Sequence, residues 1–228
     1  MKARLLEWRE LAPGTRHFDF EAIDWDGVFV PGQFLSLTAT IGSDPITRAY
    51  SIATPPAGQR FGLCANLVSD GRLSPWLFAL RPGDEVEFKG PYGAFILRAP
   101  ASEALFVATG TGIAPFRSML VAALKHDPDR RLTLVFGVRH RQGLLYDEDF
   151  LALAREYPNF RYRPTLTRPD AEWRGATGRV QARVFEELGE RRDVEVYICG
   201  LREMVDDLRA QLKAAGVDRK KIIYEKYD

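Results

Sequence analysis

Arg48, Ala49, Tyr50 and Ser51 bring a permanent cation, an aromatic face and a hydroxyl together at the end of a segment that reads as a strand. A guanidinium forks onto phosphate, a phenol ring packs on a flat ring system, and a hydroxyl can meet a ring nitrogen. Arg and Tyr on a strand serve surface pairing equally well, so the segment takes its meaning from its neighbours. Some twenty residues on, Asp70-Gly71-Arg72-Leu73-Ser74 runs into Pro75, Trp76 and Leu77. Ser74 reads as an N-cap and Pro75 as the first residue of a helix reaching about Leu80. The backbone amides of Gly71, Arg72, Leu73 and Ser74 then form a candidate anion site, unless the helix merely covers the open end of a barrel. A second glycine-to-helix junction is Thr109-Gly110-Thr111-Gly112-Ile113-Ala114-Pro115. Its spacing is Gly-x-Gly-x-x-Pro, which departs from the dinucleotide fingerprint and also suits a tight β–α turn. Cys199 closes an apolar strand just before Gly200, where ligands sit in open parallel sheets. A small apolar filler is the alternative role. No basic residue adjoins it to hold a thiolate, so contact rather than nucleophilic attack is expected.

These residues must be positioned by two segments of different rhythm. Up to about Arg98 the apolar residues come in short alternating bursts, as in 16–22, 33–38, 61–68 and 85–89, separated by Pro- and Gly-rich turns. That pattern predicts an antiparallel barrel or sandwich. Residues 98–103 read as a linker. Beyond it, apolar strands are expected at 104–108, 132–138, 160–166, 194–198 and 221–224, with helices at 115–125, 147–156, 180–188 and 202–215 between them. Such alternation is the sequence form of a parallel sheet with crossover helices. Two domains are expected, 1–98 and 104–228.

Composition narrows the function classes. Lys and Arg number 32 against 31 for Asp and Glu, a net charge of +1, which points away from nucleic acid and acidic membranes as partners. No apolar run is long enough to span a bilayer, and the charged start, 1–10, does not read as a signal peptide, so a cytoplasmic protein is expected; a monomer is the expected state. With only two cysteines, the chain cannot by itself supply the four thiolates of an iron–sulfur cluster. The three histidines show no metal-ligand spacing, and no metal is expected.

The order of the short segments says more than any one of them. Pro31-Gly32-Gln33-Phe34, Arg48-Ala49-Tyr50-Ser51, Gly71 to Ser74, Gly90-Pro91-Tyr92-Gly93-Ala94-Phe95, Gly110 to Pro115, Tyr197-Ile198-Cys199-Gly200 and the ending Tyr224-Glu225-Lys226-Tyr227-Asp228 follow one another along the chain. From about Leu11 onward this series resembles the ferredoxin–NADP(H) reductase family, and Asp70 to Leu77 is similar to its bacterial branch. The resemblance implies a six-stranded antiparallel barrel holding FAD, followed by an α/β domain with a five-stranded parallel sheet holding NADP(H). It further implies that Arg48 pairs with the flavin pyrophosphate, Tyr50 packs on the isoalloxazine and Ser51 hydrogen-bonds near flavin N5. Gly71 to Ser74 would offer amides to the FAD phosphates, while Ala65, Asn66 and Leu67 would line the cofactor mainly through backbone. Thr111, Gly112 and Pro115 would belong to the nucleotide loop. Cys199 and Glu225 would shape the nicotinamide pocket, and Tyr227 would stack on the flavin ring, with Tyr224 as the alternative.

The 2′-phosphate that distinguishes NADP(H) requires arginine forks where NAD(H) enzymes place an acidic residue. Arg139, Arg168 and Arg179 match the positions where bacterial members of the family hold that phosphate, and 137–141 contains no Asp or Glu. Solubilising surface charge is the bland alternative for each. The implied activity is hydride transfer from NADPH to FAD and single-electron transfer to a separate ferredoxin or flavodoxin. An NAD(P)H–flavin reductase, an oxygenase reductase component and a non-catalytic flavin- or nucleotide-binding subunit are the competing readings.

Overall fold

The computed structural model describes residues 1–98, 103–127 and 129–227. Most of the expected linker, residues 99–102, and Asp228 lie outside the described residues. The chain forms two compact units, one of Met1–Leu97 with Ala114–Ala122 and one of Arg98–Ile113 with Ala123–Asp228. A stretch of helix expected to belong wholly to the second half thus packs with the first.

The first unit contains β1 (Lys2–Ala12), β2 (Thr15–Ala22), β3 (Phe34–Ile41), β4 (Asp44–Ser51), β5 (Arg60–Asn66), the helix α1 (Leu73–Ala79) and β6 (Glu85–Tyr92). The strands pair antiparallel in the order β4-β3-β6-β1-β2-β5. An antiparallel bridge between Ile52 and Leu63, with the Ala53 amide donating to Gly62 O at 2.8 Å, joins the two edges and closes the barrel. Alternation along the strands turns Leu5, Phe18, Phe20, Leu35, Leu37, Phe61 and Phe88 into one core. Its aromatic rings pack at centroid distances of 5.3 to 5.6 Å in the chain Phe61–Phe88–Trp25, and α1 adds Leu73 and Leu77.

In the second unit run β7 (Glu103–Thr109), the two ends of α2 (Ile113–His126), β8 (Arg131–Val138), α3 (Asp147–Glu156), β9 (Phe160–Leu166), β10 (Ala176–Thr177), α4 (Val180–Leu188), β11 (Glu195–Leu201), α5 (Arg202–Ala214) and β12 (Ile222–Tyr227). All neighbours in the sheet are parallel, in the order β10-β9-β8-β7-β11-β12. The sheet has six strands, not the five expected. The sixth, β10, is a two-residue pairing on the edge of β9 with no apolar run to announce it. Val180, Val184 and Leu188 lie on one stripe of α4 and, with Val205, Leu208 and Leu212 of α5, cover one face of the sheet. Each such buried side chain contributes about 1.5–3 kcal/mol. On the other face Phe106 stacks on Tyr197 at 5.2 Å, and Phe150 of α3 packs on Tyr162 at 5.4 Å.

Candidate functional site

Within the first unit, β4 presents the candidate flavin-binding group. Arg48 is exposed; its Nη1 donates to Thr47 O at 2.8 Å and it meets no carboxylate among the described residues. Its fork is therefore available to an anionic ligand, the condition that a pyrophosphate requires. Ala49 is exposed beside it. Tyr50 is half-buried against the barrel core, and burial raises its phenol pKa against the opposing charge of Arg48, so the ring stays neutral. Ser51 is buried at the strand end. At the end of β5, Ala65 is buried while Asn66 and, just beyond it, Leu67 are exposed. Asn66 Oδ1 accepts from Thr15 Oγ1 at 2.7 Å and the Leu67 amide donates to Gly14 O at 2.8 Å, which fixes this edge to the β1–β2 turn.

The turn into α1 differs from its expected form. Ser74 is not the N-cap. Arg72 occupies that position, without a side-chain cap, and the Ser74 hydroxyl instead closes the preceding turn through the amide of Val68 at 3.0 Å and its carbonyl at 3.3 Å. Gly71 donates its amide to Val68 O at 2.9 Å, leaving the amides at the helix start as the candidate donors. The Arg72 side chain holds the β3–β4 hairpin through Asp44 Oδ2 at 2.9 Å and Ile41 O at 2.8 Å.

The second unit has its own focus. From β7 the chain winds outward through β8 and β9 to β10 and then returns to β11 and β12 on the other side, so the order reverses between β7 and β11. In an open parallel sheet a ligand crevice forms outside the carboxyl ends at such a point. Thr109 and Gly110 stand at one strand end, Cys199 and Gly200 at the other. Gly110–Gly112 forms a single 3₁₀ turn that leads into α2, with Thr111 half-buried and Gly112 and Pro115 buried. A Cβ on Gly112 would lie 2.6 Å from the carbonyl carbon of Cys199, so only glycine allows the loop to close on β11. The hydroxyl of Thr109, absent from the sequence-based candidates, is buried without a hydrogen-bond partner among the described residues, and it lies against Gly200. A buried unsatisfied hydroxyl is costly, and an incoming polar ligand would relieve it.

Pairing of β11 with β12 sets Cys199 beside Glu225 and Leu201 beside Tyr227. Cys199 is fully buried. Burial pushes its thiol pKa well above the ordinary value and the Glu225 charge adds to this, while a hydrogen bond from Tyr227 works the other way. The three residues form one group, and the thiol stays protonated. Tyr224, the alternative aromatic, carries the Arg209 guanidinium 3.5 Å from its ring centroid.

The backbone segments that carry the arginines also come together. The Arg168 amide donates to Arg139 O at 2.8 Å, and the Gly178 amide donates to Leu166 O at 2.8 Å, just before Arg179. Thr165 Oγ1 fastens the same turn through Gly178 O at 2.9 Å. Arg139, Arg168 and Arg179 are all exposed, and none pairs with a carboxylate among the described residues. An open cleft of about 620 Å³ lies alongside, lined by His140, Arg141, Gln142, Asp147, Glu148 and Asp170.

Residues 2–96 match the family model described as the oxidoreductase FAD-binding domain, and residues 106–210 match the oxidoreductase NAD-binding domain. Ferredoxin–NADP reductase B of Sorangium cellulosum is 39% identical over 238 residues, covering 100% of this chain and 97% of the relative. One subunit of the Na⁺-translocating NADH-quinone reductase of Neisseria meningitidis is 33% identical over 221 residues. That alignment covers 90% of this chain and 53% of the relative, so the chain spans about half its length. Among solved structures, a cytochrome P450 reductase of Amycolatopsis is similar with a TM-score of 0.91 and 27% identity, over 99% of this chain and 69% of that one. Arg48, Arg139, Arg168 and Arg179 meet no carboxylate and the Thr109 hydroxyl no hydrogen-bond partner among the described residues, which suits the phosphates and polar groups of the cofactors these domains bind. The chain belongs to the ferredoxin–NADP(H) reductase family and is an oxidoreductase that binds FAD and a nicotinamide dinucleotide.

Proposed function

We propose that the protein takes a hydride from NADPH onto FAD and delivers the electrons singly to a ferredoxin or flavodoxin. The observation that carries the NADPH preference is the coming together of the backbone segments that bear Arg139, Arg168 and Arg179, with no carboxylate among the described residues to neutralise them. Three arginines on the loops after β8, β9 and β10 suit a 2′-phosphate, where an acidic residue would suit a plain ribose diol. Bound FAD supplies the chemistry, accepting electrons as a pair and releasing them one at a time. The protein binds and orients: Arg48 holds phosphate, Tyr50 offers its neutral ring, and Ser51 steadies the ring edge. Residues 1–98 serve the flavin and 104–228 the dinucleotide. Thr109 Oγ1 and the Cys199–Glu225–Tyr227 group receive the nicotinamide end, with Cys199 as a neutral contact and Tyr227 as the aromatic facing the flavin.

The proposal includes a cytoplasmic monomer that meets its partner in solution. No helix of the described residues is long and apolar enough to cross a membrane, and the net charge is +1. An NAD(P)H–flavin reductase or an oxygenase reductase component is the second reading, the latter in line with the similarity to a cytochrome P450 reductase. Steady-state assays with ferredoxin, flavodoxin and free FMN as acceptors separate them. Faster turnover with ferredoxin or flavodoxin supports the proposal, and faster turnover with FMN refutes it.

A further inference from the structure

On the outer side of the barrel, β2 carries a buried histidine that the site described above does not use. His17 is 2% exposed, and its Nε2 lies 3.0 Å from Asp19 Oδ1. The two residues share one face of β2, being two apart. In the pairing of β2 with β5, Asp19 stands opposite Gly62. The imidazole reaches the carboxylate by lying over that glycine, since a Cβ there would sit 2.5 Å from His17 Nε2 and 2.7 Å from Thr54 Cγ2. Burial alone would raise the pKa of Asp19. The His17 hydrogen bond and the charges of His17, Arg9 and Arg117 outweigh it and hold the group below the ordinary carboxylate value. Asp19 is thus held as an anion against its partner His17, and the positive charge of Arg117 on α2 is among those that favour it.

Arg117 in turn reaches the segment that follows β4. Its Nη1 donates to Ala53 O at 2.9 Å, and the fully buried Ser118 donates to Thr54 O at 2.7 Å. The Thr54 hydroxyl accepts from the Gly62 amide at 2.8 Å, and the Ala53 amide donates to Gly62 O at 2.8 Å. Residues 53 and 54 are therefore held from the helix side and from β5 together, with only Ile52 between them and Ser51.

We propose that His17, Asp19 and Arg117 are positioning residues that set the placement of Ser51 for flavin reduction, by way of the clamped Ala53–Thr54 backbone. The proposal rests on the reading that Ser51 contacts the flavin. The carboxylate orients Arg117, Arg117 fixes the Ala53 carbonyl, and the strand end two residues earlier keeps its register. A displacement of about 1 Å at a reacting group can cost up to ~100-fold in rate.

The test uses the FAD-loaded full chain and the variants Asp19→Asn, Ser51→Ala and their combination. It reads anaerobic flavin reduction by NADPH, the visible circular dichroism of the bound flavin, and amide hydrogen exchange at residues 52–54. Asp19→Asn should keep stoichiometric FAD, alter the flavin dichroism, speed exchange at 52–54 and slow reduction roughly tenfold. Because it acts through Ser51, the double variant should be no slower than Ser51→Ala alone. Slow Ser51→Ala with unaffected Asp19→Asn, or losses that multiply in the double variant, overturns the positioning role. Ser51→Ala without effect overturns the reading of Ser51 and the proposal with it. Should Asp19→Asn not fold, Ser118→Ala removes the hold on Thr54 O alone and is subject to the same outcomes.

Discussion

At the scale of single residues, the proposed function depends on which cations meet no carboxylate among the described residues. Arg72 is occupied by Asp44 and Ile41 O, whereas Arg48, Arg139, Arg168 and Arg179 have no carboxylate among the described residues. Arg168→Ala should raise the KM for NADPH about tenfold or more and leave that for NADH unchanged, because a charge-assisted bond to phosphate contributes ~1.5–3 kcal/mol. Steady-state kinetics with both nucleotides checks this, and an equal change in the two would show that Arg168 does not read the phosphate. Cys199 behaves oppositely to a reactive thiol. Its folded pKa is raised by burial and by Glu225, whereas in the unfolded chain a thiol ionises near about 8.5. Between these two values the folded state binds more protons than the unfolded one. Stability from this group is therefore complete below about pH 8.5 and falls as pH rises above it. Cys199→Ala should flatten that alkaline decline in urea melts at pH 7 to 10; a wild-type curve identical to that of the variant would contradict the assignment.

At the scale of elements, much of the second unit can be read directly from the sequence. The expected ranges 147–156, 160–166 and 180–188 coincide with α3, β9 and α4, because apolar periodicity and turn residues mark both their ends. Other elements carry no such local mark. β1 runs through a charged stretch, where only Ala3 and Leu5 are buried and the later residues face outward, so alternation fades halfway along it. β10 consists of two residues. Ser74-Pro75 has the composition of an N-cap and first turn, yet the helix starts earlier because the hydroxyl bonds back to Val68. Among site residues, motif order singles out Arg48 to Ser51 and Cys199. Thr109 Oγ1 and the His17–Asp19–Arg117 cluster are not legible in this way, because their environment is made by residues far away in sequence. Gly112 tests the packing at this scale. Gly112→Ala would press a methyl group into the Cys199 backbone and should cost ~2–3 kcal/mol, lowering the urea midpoint. An unchanged midpoint would show that the loop can open without penalty.

At the scale of the whole molecule, a closed barrel and a doubly wound parallel sheet are joined in one chain of 228 residues with near-balanced charge. The first unit matches an FAD-binding domain and the second an NAD-binding domain, and the family supplies the reason for having both. The decisive measurement is an anaerobic absorbance titration of the FAD-loaded protein with NADPH and, separately, with NADH. About one equivalent of NADPH should bleach the flavin bands, and NADH should need a large excess. Flavin bands that persist under excess NADPH, or that respond equally to the two nucleotides, would contradict an NADPH-specific reductase.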